Sequence, residues 1–372
     1  MTEPGRLYGG RRILMTVDAA GGVWRYAMDL AAGLRDLGFE TVFACFGPQP
    51  NQAQQREAQQ VGTLTLCDAP LDWTVECEKA LVEVPQIIAD LVERERIDLV
   101  HLNLPSQGAD LSVDVPVVAV SHSCVCTWFE AVRCDGVPEG WAWQRTINHR
   151  GLERADAVVA PSYSHAGLLQ QVYGQATPSI HVVYNASRVP PFSAKKGPYV
   201  FAAGRWWDDG KNGKVLAAAA SNVEWPVIMA GANKGLSNEY TALPNVDHRG
   251  ALNHGETMRL MREAAIVVSP SLYEPFGLVA LEAARSGSAL VLADIPTYRE
   301  LWDGAALFAD PHNPVAFGEM INSLIADERL RVSLGEQAQA RSLEFSAAKQ
   351  AQAMSEIYLK LIETAHALNA AE

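Results

Sequence analysis

Glu274 and Glu282 stand on either side of a Pro-Phe-Gly turn, within the run Ser269–Ala283 that reads S-P-S-L-Y-E-P-F-G-L-V-A-L-E-A. Proline disfavours helical angles for the residue before it, so Pro275 keeps Glu274 in a loop. Gly277 permits close backbone approach, and the apolar pattern predicts a helix from Leu278. The first amides of a helix lack partners within it, and the helix dipole adds positive character there. This helix start therefore suits an anion such as a diphosphate. Glu282 lies about one turn in, roughly 6 Å from the start. One carboxylate precedes the anion site and another follows it. Ionised carboxylates accept hydrogen bonds from paired hydroxyls. A nucleotide sugar presents that order of groups: sugar hydroxyls, diphosphate, ribose hydroxyls.

Other candidates lie just after apolar runs that read as strands. Gly204-Arg205 follows one such run, and Lys211 comes shortly after. Asp18-Ala19-Ala20-Gly21-Gly22 follows another. Gly21 and Gly22 serve either turn geometry or the close approach of a phosphate. Ser121-His122 ends a third run, where His122 reads as a site residue or a satisfied loop histidine. His101, also near a strand end, reads as structural. His122, Cys124, Cys126 and Cys134 form a candidate metal cluster. Zinc sites use cysteine pairs two to four residues apart, so C-x-C fits poorly. The thiols are expected to be buried or loop residues, with no metal bound.

These residues need elements to hold them. Strands are expected at Ile13–Val17, Thr41–Phe46, Leu99–Leu102, Val115–Val120, Ala157–Ala160 and Ile180–Tyr184. Helical stretches such as Val23–Leu37 and Val82–Glu95 lie between them. Strand–helix alternation with near-continuous apolar strands implies parallel βαβ units covered on both faces. Asn185–Gly197 reads as a linker, rich in proline, glycine and charge. The rhythm then restarts with strands Tyr199–Ala203, Val227–Ala230, Ala265–Ser269 and Ala289–Ala293, and helices Leu278–Ser286 and Pro314–Ala326. Ser346–Ala371 is a final amphipathic helix, with Met354, Ile357, Tyr358 and Leu361 roughly on one face. The expected domains are residues 1–187, residues 188–345, and a C-terminal helix, 346–372, crossing back to the first.

The length of 372 residues favours two domains, and 48% hydrophobic with 20% charged residues is a globular composition. A net charge of -13 argues against nucleic acid as a partner. It also disfavours broad adsorption to anionic lipid, while leaving room for peripheral contact through a local basic patch. Arg6, Arg11 and Arg12 form one basic cluster; Arg145, His149, Arg150 and Arg154 form another. Both read as solvated faces. There is no signal-peptide pattern and no run of membrane-spanning length, so the expected location is cytoplasmic.

The Glu-x7-Glu arrangement resembles the signature of retaining glycosyltransferases with the GT-B fold, in particular glycosyltransferase family 4. Ala265–Gly287 is similar to that family's most specific block. Gly204-Arg205 and Lys211 resemble its Gly-Arg…Lys element, Gly21-Gly22 its first-domain glycine loop, and His122 its strand-end histidine. The resemblance implies two Rossmann-like β/α/β domains facing each other across a cleft. It implies that Arg205 and Lys211 neutralise the departing diphosphate, in place of a metal held by Asp-x-Asp, which the sequence lacks. Glu274 would bind donor-sugar hydroxyls and Glu282 the ribose. The amides near Phe276, Gly277 and Leu278 would hold phosphate or sugar. Gly21 and Gly22 would let the first domain close on the phosphates, and His122 would touch the donor sugar. The implied reaction retains anomeric configuration, and the nucleotide sugar is a substrate, with no cofactor. UDP-sugar is the first choice of donor; the acceptor is a saccharide, a lipid-linked sugar or a small metabolite. Trp128, Phe129, Trp141 and Trp143 crowd what reads as one long connection, Thr127–Trp143, expected to shape the acceptor site; core packing is the alternative.

Lys211 is followed by Asn212 where the family often has glycine, and Trp206-Trp207 is bulky for such a loop. A nicotinamide dehydrogenase would need G-x-G-x-x-G after the first strand, and Asp18–Trp24 reads D-A-A-G-G-V-W instead. A non-catalytic nucleotide-sugar-binding protein, or another GT-B enzyme such as a nucleotide-sugar epimerase, remains an alternative on fold alone.

Overall fold

The computed structural model describes residues 10–174, 180–192, 195–235 and 239–369. Arg6, part of the linker (Ser193 and Ala194) and the last residues of the C-terminal stretch lie outside them.

The first half runs β1 (Arg11–Asp18), α1 (Gly22–Asp36), β2 (Phe39–Phe46), α2 (Gln52–Val61), β3 (Thr63–Leu66), α3 (Val84–Glu95), β4 (Leu99–Leu102), β5 (Val117–Val120), α4 (Val125–Val132), α5 (Ala142–Arg154), β6 (Ala157–Ala160), α6 (Tyr163–Tyr173) and β7 (Ile180–Val182). Its seven strands form a parallel sheet in the order β3-β2-β1-β4-β5-β6-β7. The second half runs β8 (Gly197–Ala203), α7 (Gly213–Ala219), β9 (Val227–Ala230), β10 (Asp247–His248), α8 (His254–Glu263), β11 (Ala264–Ser269), α9 (Leu278–Arg285), β12 (Ala289–Ala293), α10 (Pro296–Trp302), β13 (Leu307–Ala309), α11 (Pro314–Ala326), α12 (Glu328–Ser342) and α13 (Ala347–Asn369). Its six-stranded parallel sheet has the order β10-β9-β8-β11-β12-β13.

Both orders reverse direction once, at β1/β4 and at β8/β11. Open α/β sheets bind ligands at the carboxyl ends of the strands beside such a reversal. The candidate residues follow these four strands or their neighbours. The central strands β4, β5, β11 and β12 are buried along their whole length, as expected for strands covered by helices on both faces.

Three strands were absent from the sequence reading: β3, β10 and β13. All lie at or next to a sheet edge, and none is buried throughout. The stretch Thr127–Trp143 is not one long connection. Its start belongs to α4, and Trp143 belongs to α5, with a short 3-10 turn at Glu139–Trp141 between them.

The basic clusters are tied down within the fold. Arg12 bonds Glu40 and Glu95, Arg150 bonds Glu78 and Asp110, and Arg154 donates to the carbonyls of Leu111 and Val113.

Helix α13 packs on α1, and Met354, Tyr358 and Ile362 enter the first domain's core one turn apart. Ile357 and Leu361 are only partly buried. At Gly33 an added Cβ would come within 2.7 Å of the Ala351 methyl, so the two helices need glycine there to touch. The two passages of chain between the domains run side by side, joined by a parallel bridge between Ser187 and Ser346. No helix of the described residues is long and apolar enough to cross a membrane.

Candidate functional site

In the second domain the loops after β8 and β11 lie against each other. Leu272 N donates to Gly210 O at 2.9 Å. Asn212 adopts φ +55, a left-handed conformation that asparagine tolerates better than most residues. Its side-chain amide donates to Pro270 O at 3.0 Å and Pro311 O at 2.7 Å, fastening the ends of two loops. Asparagine thus supplies both the backbone geometry and two hydrogen bonds that glycine could not make. Trp206 is also accounted for. It is fully buried beneath Gly204 and Gly213, and its Nε1 donates to Ala230 O at 2.8 Å.

This arrangement brings Lys211 to Glu274. Nζ of Lys211 bonds Oε1 of Glu274, and Ser271 Oγ donates to the same oxygen at 3.2 Å. Gly277 precedes α9 with φ +90, and a Cβ there would lie 2.7 Å from the Tyr298 ring. Both facts demand glycine at the helix entrance. Phe276 is buried in the core.

Glu282 points toward the first domain. It is buried, and burial pushes its carboxyl up to about 7, opposed by Arg25 and reinforced by Asp29. Arg25, on α1, bonds Glu57 at 2.6 Å and Asp29 at 3.5 Å. None of Arg25, Asp29 and Glu57 stood out in the sequence. The only local signal was the Arg-Asp pair one helical turn apart on α1.

Gly21 and Gly22 face the second domain, but not for turn geometry. Gly21 is extended, with φ -159, and Gly22 is not among the residues with positive φ. A Cβ on Gly21 would meet nothing within 4 Å, and one on Gly22 would meet only Leu278 Cδ1 at 3.8 Å. The glycines thus face open space and the start of α9. Beside them Asp18 caps Ala20 N at 2.9 Å, and its carboxyl is raised by burial, with Ala20 N and Arg205 opposing. Arg205 lies more exposed, at 3.4 Å from Asp208 and over the Trp207 ring at 5.5 Å.

His122 follows β5. Its Nε2 lies 2.8 Å from Asn103 Oδ1, and its ring meets Tyr26 edge-on at 4.3 Å between centroids. Burial lowers it to about 3, with His101 and His165 adding to the effect. His101 is buried between Asn103 and Tyr358.

Cys124 caps α4, with its Sγ 3.1 Å from Tyr173 OH and 3.3 Å from Thr127 Oγ1. Among the described residues, no group of three His, Cys, Asp or Glu side chains is placed to hold a metal ion. Trp128 belongs to the contact between the domains. Its Nε1 donates to Asp208 Oδ1 at 2.9 Å, and Arg133 lies over its ring while bonding Asp209. Thr127 Oγ1 meets Tyr273 OH at 2.8 Å across the same contact. Trp143 packs on the first domain's core, and Trp141 is exposed.

Residues 184–341 match the family described as Glycosyl transferases group 1, and residues 20–187 match Glycosyltransferase Family 4. The chain is 28% identical over 300 residues to a D-inositol 3-phosphate glycosyltransferase of Xylanimonas cellulosilytica, covering 70% of this chain and 71% of that protein. Its fold is similar to that of sucrose-phosphate synthase from Thermosynechococcus elongatus (TM-score 0.78, 17% identity, 95% of this chain and 100% of the other). It is also similar to Anabaena HepE in complex with UDP-glucose (TM-score 0.73, 19% identity, 94% of this chain and 100% of the other). Two family matches that together run from residue 20 to residue 341, on paired Rossmann-like sheets, place this chain among the GT-B glycosyltransferases of family 4.

Proposed function

We propose that this glycosyltransferase moves a sugar from a nucleoside-diphosphate sugar, UDP-sugar first, to a saccharide, lipid-linked or small-molecule acceptor. Transfer retains anomeric configuration and needs no metal ion. The observation that carries this reading is the Lys211–Glu274 pair set beside the glycine-led start of α9. A cation and the first amides of a helix on the same stretch of chain suit a diphosphate.

A leaving diphosphate gains negative charge in the transition state. Lys211 and Arg205 offset that charge as it develops. Glu274, once a donor draws Lys211 toward phosphate, accepts hydrogen bonds from sugar hydroxyls. Glu282 receives the ribose hydroxyls, and Gly21 and Gly22 leave room for the phosphates on the other wall. The acceptor attacks the face from which the diphosphate departs, and a phosphate oxygen takes its proton. The HepE complex with UDP-glucose supports the uridine choice by analogy of fold. The acceptor side falls to the segment from Thr127 to Trp143, a reading supported by Trp128 at the contact between the domains.

The test is thermal stabilisation by UDP, GDP, ADP and their common sugars, with and without a chelator. A ligand at a hundredfold over its Kd stabilises the folded state by about 2.7 kcal/mol. UDP compounds are expected to raise Tm most, chelator or not, and Lys211→Ala is expected to abolish both the shift and turnover while the fold persists. No shift from any nucleotide would remove the donor site. Strong inhibition of turnover by chelator would remove the metal-independent mechanism.

A further inference from the structure

A buried chain of hydrogen bonds links α13 to His122, with Asn103 at its centre. Asn103 follows β4 and is 2% exposed. Its Nδ2 donates to Thr16 O at 2.6 Å, and its backbone N donates to Thr16 Oγ1 at 2.9 Å. A carbonyl oxygen only accepts, so the nitrogen of the Asn103 amide must face Thr16 O and Oδ1 must face away. That oxygen lies 2.8 Å from His122 Nε2 and 3.0 Å from His101 Nε2. Because Oδ1 also only accepts, each imidazole must carry a proton on Nε2.

A neutral imidazole has one N–H, so Nδ1 of each ring becomes an acceptor. At His101 that lone pair is used, because Tyr358 OH lies 2.5 Å from Nδ1 and donates to it. At His122, Nδ1 has no hydrogen-bond partner among the described residues. Burial favours the neutral form of both rings, lowering His101 to about 4 and His122 to about 3.

We infer that Asn103 is a positioning residue that fixes His122 as the Nε2–H tautomer, leaving Nδ1 to accept a hydrogen bond from a hydroxyl of the donor sugar. The second clause rests on the proposed reading of His122 as a donor-sugar contact; the first does not. His122 then acts at the sugar as a fixed acceptor, and not as a source of protons. Thr16, at the centre of the sheet, sets the direction of the amide. His101 and Tyr358 use up the remaining alternatives by occupying the other approach to Oδ1.

The experiment is a two-bond 1H–15N correlation spectrum of histidine-labelled protein at pH 7.5, with His122 identified by the signal lost in His122→Phe. The wild type is expected to show a protonated Nε2 and an unprotonated Nδ1 at His122. Asn103→Leu, which removes the acceptor, is expected to give a mixed or Nδ1–H tautomer. An Nδ1–H or averaged signal in the wild type, or an unchanged tautomer in Asn103→Leu, overturns the positioning role. If Asn103→Leu fails to fold, the wild-type spectrum still decides. UDP-glucose is then added, and the Nδ1 resonance of the wild type is expected to move. If UDP-glucose raises Tm but leaves Nδ1 unmoved, the hydroxyl contact is overturned. If UDP-glucose gives no thermal shift at all, the donor reading falls, and the tautomer data still decide the role of Asn103.

Discussion

Glu282 shows how far a carboxylate in a cleft can be pushed by its surroundings. In the unfolded chain it titrates near 4.5, and in the fold at about 7. As pH rises between these values, the unfolded chain loses a proton that the folded one keeps. The folded state is therefore at its best, on this group's account, below 4.5, and loses stability as pH rises through 7. The whole effect is on the order of 3 kcal/mol. Glu282→Gln cannot ionise, so it is expected to stabilise the ligand-free protein at pH 8 and hardly at all at pH 4.5. Urea titrations of both proteins at these pH values read the difference, which isolates Glu282 from Asp18, Asp29 and Asp72, whose carboxyls are also raised by burial. Equal differences at both pH values would show that the fold does not raise the Glu282 carboxyl. The sequence singled out Glu282 from its place after the Pro-Phe-Gly turn. It could not show Arg25 and Asp29 as its neighbours, because they come from the opposite domain and a distant part of the chain. Asn103 escaped notice for a related reason: its importance lies in what its two amide atoms face, which spacing does not encode. Asn212 looked like a departure from pattern and proves to be a glycine substitute with added hydrogen bonds.

At the scale of elements, buried strands were readable and edges were not. Leu99–Leu102, Ala157–Ala160, Val227–Ala230 and Ala289–Ala293 were expected with the bounds they have. Each is a wholly buried run, which is the strongest signal a parallel sheet leaves in sequence. The edge strand β3 is four residues long and none of them is buried, so it leaves little trace. The aromatic stretch after His122 misled because tryptophans suit either helix faces or loops. Helix α6 supplies a contact between domains that no motif announced. Glu300, from α10, accepts from Tyr163 N at 2.9 Å, from Ser164 N at 2.7 Å and from Ser164 Oγ at 2.6 Å. A carboxylate at a helix start is favoured by the dipole. Ser162 Oγ donates to Pro275 O at 2.7 Å nearby, so the residue that caps α6 also touches the turn beside Glu274. Glu300→Ala is expected to loosen this contact and enlarge the ligand-free molecule's radius of gyration in small-angle X-ray scattering. UDP-glucose is expected to restore the compact value. An unchanged radius in the free variant would show that the other contacts hold the domains together without Glu300.

For the whole molecule, α13 is the element with the widest reach. It starts beside the second domain and buries Ala351, Met354, Tyr358 and Ile362 in the core of the first. Removing residues 346–372 would uncover the α1 face and leave His101 Nδ1 without its donor. Burying one large apolar side chain is worth about 1.5–3 kcal/mol, so losing several is comparable to the whole margin of a typical domain. The truncated chain is expected to lose cooperative unfolding of residues 1–187, read by calorimetry as a missing or broadened transition. A sharp transition at the original temperature would make α13 dispensable to the first domain.

The bridge between Ser187 and Ser346 carries a consequence for the chain as a thread. The first domain is made of two separated pieces, and the second is spliced into it at one point on its surface. Chain on either side of the second domain therefore belongs to the first, while the second has its entry and exit next to each other. Such a loop-like graft can be exchanged for another of the same kind without rerouting the host. A lineage built this way can exchange the second domain while keeping the first, which receives it.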